Sequence, residues 1–293
     1  MKRFIRNVLI AGVACVGIAA LTSKWAAATA DDAPNDAIVQ ADRALVQAFE
    51  KGDQSAANKL LDSDFAWIDT DGVMWAKEDA FRAGLKPLVP SGSDVKITEH
   101  KYGKVVWIQE NQGNKYAAHI WVQLPAGWRL LHTSEIAIRP RSENPDSRPF
   151  FAVPCVNPCK EIPFKPITPN EQAVLAAWQE QESGDPELWR RHVADDNVVI
   201  SSYGSLTKED RWNVIQKQVQ SHGPEVGVSP VLWARMWDFD TAVVMIACQP
   251  NWGGKAYWAS RVFAKNNDGV WQMTEVYRTT IQASPVMTAV QPK

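Results

Sequence analysis

The chain has little with which to hold a metal, a nucleotide or a nucleic acid. Its five histidines, at 100, 119, 132, 192 and 222, show no short ligand spacing, and neither H-E-x-x-H, G-x-S-x-G nor a glycine-rich phosphate loop occurs. These absences argue against a metal- or nucleotide-dependent enzyme, so no cofactor is expected. No block of Lys or Arg is interleaved with aromatics, which leaves no electrostatic footprint for nucleic acid. The longest apolar run, Val8 to Leu21, has 14 residues. A spanning helix needs about 20, and no membrane span is expected once the leader is removed.

That apolar run follows Lys2, Arg3 and Arg6 and precedes the small-residue site Ala28-Thr29-Ala30, so residues 1–30 read as a secretory signal. Cleavage before Asp31 takes away four cationic side chains and no acids, moving the formal charge from -2 to -6. The expected location is periplasmic or secreted. In that setting Cys155 and Cys159 are expected to form a disulfide around Pro158. A redox pair or half a metal site fits less well, because the spacing is not C-x-x-C and no histidine is near. Cys248, inside Val243-Val244-Met245-Ile246-Ala247-Cys248, reads as a buried free thiol.

What the chain does have is a repeat. Gly52-Asp53, Asp64 and Gly72 return 132 residues later as Gly184-Asp185, Asp196 and Gly204, and each copy runs on into Lys-Glu-Asp, at Lys77-Glu78-Asp79 and Lys208-Glu209-Asp210. Apolar residues at Ile38, Ala41, Leu45, Ala48 and Phe49 give a helical period that Gly52 ends, and Asp53 suits the N-cap of a second short helix. Alternation in Phe65-Ala66-Trp67-Ile68-Asp69-Thr70 marks a strand, Lys77 to Leu85 a third helical segment, and the stretches up to Ile138 further strands. The second copy repeats this order from about Asn170 to Ile281. The domains expected are a signal at 1–30, a first domain at 31–139, a proline-rich linker at 140–167, a second domain at 168–284 and a tail at 285–293. Helices followed by a twisted antiparallel sheet make each unit α+β.

This order, closing on a Trp-led strand at Trp128 and again at Trp271, resembles the nuclear transport factor 2-like superfamily, with its SnoaL-like and ketosteroid-isomerase-like members as the nearest match. The resemblance implies two tandem cone-shaped α+β rolls, each a curved sheet wrapped around helices with an open apolar pocket. It also implies pairing through the sheets, as an intrachain pseudo-dimer or as a homodimer. Resemblance to ketosteroid isomerase places a catalytic aspartate at Asp69, three residues before Gly72, whereas the second copy has Ser201 there. The isomerase's helix tyrosine falls on Leu45 and Ala177, so that donor is missing. His132, read as sharing a strand face with Trp128, Leu130 and Ser134, and His119 on the preceding strand are the candidates to complete an acid–base set; the alternative is that Asp69 caps a turn and the histidines make structural hydrogen bonds. Trp67, Trp121, Tyr203, Trp237 and Trp258 are candidate pocket-lining aromatics, each also readable as core. Glu275 stands where the first copy has His132. The function expected is binding of a small apolar organic molecule, with cofactor-free isomerase-, dehydratase- or cyclase-like chemistry in the first domain. The alternative is a non-catalytic envelope module for protein interaction or scaffolding.

Overall fold

The computed structural model describes residues 36–92, 94–139, 162–183, 185–222, 231–250 and 256–282. The first thirty residues and the Cys155–Cys159 segment lie outside the described residues. The first half opens with helix α1 (Asp36–Lys51), whose apolar stripe is buried, and Gly52 closes it at φ +71°. Asp53 then caps α2 (Gln54–Asn58), its carboxylate accepting the Ala56 amide at 3.0 Å. Strands β1 (Leu61–Ile68) and β2 (Met74–Ala76) and helix α3 (Lys77–Ala83) follow, then β3 (Lys96–Tyr102), β4 (Val105–Gln112), β5 (Lys115–Leu124) and β6 (Gly127–Ala137).

The second half repeats every element. Helix α4 (Pro169–Gln181) is capped by Thr168 and α5 (Pro186–Arg191) by Asp185. Strands β7 (Val193–Ser201) and β8 (Gly204–Thr207) and helix α6 (Lys208–His222) precede β9 (Trp233–Asp238), β10 (Ala242–Pro250), β11 (Ala256–Lys265) and β12 (Trp271–Thr280). The two sheets have the same order, β2-β1-β6-β5-β4-β3 and β8-β7-β12-β11-β10-β9. Both depart from the expected all-antiparallel sheet. β1 runs parallel to β6 and β7 parallel to β12, because the helical excursion between them returns the chain in the same direction.

Alternation sends one face of each sheet inward and the other outward. Inward, Ile38, Leu45, Phe49, Trp67, Val106, Ile108 and Trp121 fill the first cone, and Val174, Trp178, Val243, Met245, Phe263 and Met273 the second. Outward, the two sheets meet face to face. Trp107, Ile120 and Leu131 of the first half pack with Val244, Val262 and Tyr277 of the second in one apolar layer, with the Trp107 and Tyr277 rings 5.3 Å apart. The expected pseudo-dimer is thus formed within one chain.

Each sheet carries a bulge at the same place. Ile120 pairs with His132 but Trp121 with Leu130, which leaves Leu131 as the extra residue; Thr274 holds that place between Glu275 and Met273. A bulge shifts the alternation by one residue. Leu130 therefore faces the first cone, while His132 and Ser134 face the other half.

Candidate functional site

Two acids and one histidine sit on faces that periodicity marks as core. Asp42 lies in the α1 stripe with Ile38, Leu45 and Phe49, and Glu110 follows Val106 and Ile108 on the inward face of β4. His119, on β5, points inward beside them. Asp42 Oδ1 accepts from His119 Nδ1 at 2.8 Å and from the Trp121 indole at 2.7 Å. The ligand atoms of Asp42, Glu110 and His119 lie within 4.8 Å of one another, and all three residues are buried. Asp42 Oδ2 and Glu110 Oε2 are buried without a partner. Ionised carboxylates only accept, so one proton held between these two oxygens satisfies both.

Opposed forces act on this trio. Burial and the Asp42 charge push the Glu110 carboxyl up to about 7, while the cations His119 and Arg43 pull against them. Burial alone would lower the His119 imidazole, but the Asp42, Glu110 and Glu135 carboxylates outweigh it and raise it to about 9. Glu135, also inward-facing, accepts the Leu88 amide at 2.7 Å and is raised by burial to about 7.

Glu110 also lines a cavity of about 310 Å³ at the mouth of the first cone. Arg43, Val46 and Gln47 of α1, Ile97 of β3, and Ser91, Gly92 and Val95 supply its walls. A carboxyl that is half-protonated near neutral pH therefore meets a partly apolar chamber beside a guanidinium. The trio could also be counted as a metal set. However, His119 Nδ1 is already engaged with Asp42, and a shared proton accounts for the same contacts.

The residues expected from the sequence fall elsewhere, apart from His119 and Trp121, whose indole donates to Asp42. Asp69 is half-buried and caps a turn, its carboxylate accepting from the Asp71 and Val73 amides at 3.0 and 2.9 Å and from the Trp75 indole at 2.8 Å. The turn takes up both oxygens, so Asp69 does not converge with a histidine on the cavity. His132 lies between the two sheets, its Nε2 at 2.9 Å from Ser134 Oγ and 2.7 Å from Ser260 Oγ, because the bulge turns it outward. Burial lowers its pKa to about 3, so it is neutral there. Trp67 and Trp121 are first-cone core, Trp67 edge-on to Phe49 at 5.0 Å. Trp237 and Trp258 serve the contact between halves, donating to Asp64 at 3.1 Å and to the Gly72 carbonyl at 2.9 Å. Tyr203 is half-buried in the β7–β8 turn. Sequence reasoning missed Asp42 and Glu110, although an acid within an apolar stripe was the available signal.

The duplicated helix-and-mixed-sheet order, with matching bulges, decides the fold. The chain carries two tandem α+β cones of one topology. Several solved structures are similar to one half at a time. An NTF2-like protein from Cytophaga hutchinsonii is 20% identical, covers 36% of this chain and 98% of its own, and has a TM-score of 0.30. An NTF2-like protein of unknown function in nutrient uptake from Rhodospirillum rubrum is 24% identical over 35% of this chain and 98% of its own, with a TM-score of 0.27. A candidate ketosteroid isomerase from Parabacteroides distasonis is 9% identical over 41% of this chain and 91% of its own, with a TM-score of 0.32. No protein-family model and no curated protein matches the sequence. Among the described residues, no helix of these cones is long and apolar enough to cross a membrane.

Proposed function

We propose that the first cone binds a small organic carbonyl compound and moves a proton on it without a cofactor, with Glu110 as the acid–base group. The observation that supports this is a buried carboxyl, raised to about 7, in the wall of a cavity of about 310 Å³. Proton transfer by a side chain is most effective when its pKa is near the working pH, and contributes roughly 10²- to 10⁴-fold. Arg43 is placed to hold the substrate oxygen, and Val46 and Ile97 to hold its apolar part. Asp42 and His119 set the charge behind Glu110 and hold it in place. A protein-interaction module finds less support, because the apolar outer sheet faces are turned toward each other. Export to the periplasm or beyond, supported by the leader-like residues 1–30, belongs to the same reading and is checked by sequencing the mature N-terminus, expected at Asp31.

The test is deuterium incorporation next to the carbonyl of a panel of small ketones and enones in D₂O, followed by NMR. The full chain is expected to accelerate exchange for part of the panel, Glu110→Gln to lose about 100-fold or more of that acceleration, and EDTA to leave the rate unchanged. Exchange no faster than in buffer across the panel, or an unchanged rate in Glu110→Gln, contradicts the proposal. Loss of the rate with EDTA instead assigns the trio to a metal.

A further inference from the structure

The second cone is more cationic at the same places. By the strand register around the two bulges, Arg261 stands where the first half has His119, and Arg278 where it has Glu135. Arg261 is only 1% exposed. Its Nη2 donates to Gln249 Oε1 and its guanidinium stacks over Trp178 at 5.1 Å, but Nε and Nη1 have no partner. Gln249 Nε2 and Arg278 Nε are likewise buried and unpartnered. All four of these atoms are donors. Arg278 lies over the Tyr257 ring at 5.6 Å, and burial followed by the Arg278 charge lowers the pKa of Arg211 of α6. The acid that opposes the three arginines is Glu182, whose carboxyl is itself raised by burial.

Buried donors without acceptors are rare in folded proteins, and an unmatched buried cation is costlier still. An acceptor-only group of negative charge resolves both at once. We propose that the second cone is a binding site for a small oxyanion, a carboxylate or phosphate group, held by Arg261 and Arg278 with Gln249 completing the donor set. Guanidinium N–H groups donate charge-assisted hydrogen bonds to either group. The two cones then divide the work: the first handles protons and the second selects for negative charge. This inference stands independently of Glu110, since no residue is shared.

Thermal unfolding of the full chain is followed against inorganic phosphate and, separately, succinate, each compared with chloride at matched ionic strength. A ligand that binds only the folded state raises the midpoint in a saturable way. At least one of the two anions is expected to do so, and which one responds tells phosphate from carboxylate recognition. Arg261→Gln and Arg278→Gln are each expected to weaken the response at least tenfold in apparent Kd, while Glu110→Gln leaves it intact. If Arg261→Gln does not fold, the half-buried Arg278→Gln carries the test. Both anions behaving like chloride, or an undiminished response in Arg278→Gln, overturns the proposal.

Discussion

At Glu110, burial acts against two nearby cations and prevails, which is what the proposed proton transfer rests on. As a general base it must be ionised, so the exchange rate is expected to rise with pH through about 7 and then level off; a flat profile from pH 5 to 9 contradicts that role. Glu135 permits a cleaner stability test. Its carboxyl is raised from 4.5 to about 7, so the unfolded chain ionises first and the fold loses stability as pH rises between those values. At about 1.4 kcal/mol per pKa unit, the loss is on the order of 3 kcal/mol by pH 8. Glu135→Gln, which can still accept the Leu88 amide, is expected to be neutral at pH 4 and stabilising at pH 8 by urea unfolding. Equal effects at both pH values would count against it. His132 has the opposite sign. Its pKa is depressed to about 3, so its contribution is present above about 6.5 and is lost as the pH falls toward 3.

At the scale of elements, much was legible because local rules sufficed. The α1 stripe, the Gly52 stop and the Asp53 and Asp185 caps each follow from a few neighbouring residues. Asp53→Ala and Asp185→Ala are each expected to cost about 1 kcal/mol in urea unfolding, the usual worth of such a cap. A loss below about 0.2 kcal/mol in both would mean that the repeated Gly-Asp is not a capping device. What stayed hidden depends on partners far along the chain. The parallel β1–β6 pairing and the bulge at Leu131 arise from strand register, and the bulge alone reverses the side to which His132 points. The repeated Asp64 has a distant partner as well, since it meets Arg235 and Trp237 of the other half. Asp69 takes the turn-capping alternative for a similar reason: three turn and indole donors claim its carboxylate, one of them from Trp75 on a strand too short to foresee.

The described residues form a pair of cones joined through their sheets. Ile120 is fully buried in the layer between them, so Ile120→Asp buries a charge among apolar side chains and is expected to cost several kcal/mol in urea unfolding. A cost below 1 kcal/mol would mean that the sheet faces are not packed. Pairing occupies both outer faces, and the cone interiors have diverged from His119 and Glu135 to Arg261 and Arg278. The central claim is that the first interior holds a proton ready at neutral pH. Carbon-13 NMR of the full chain labelled at glutamate carboxyls reads this without knowledge of the substrate. A resonance that titrates near pH 7 and disappears in Glu110→Gln is the expected result; a Glu110 carboxyl titrating near 4.5 would contradict the account.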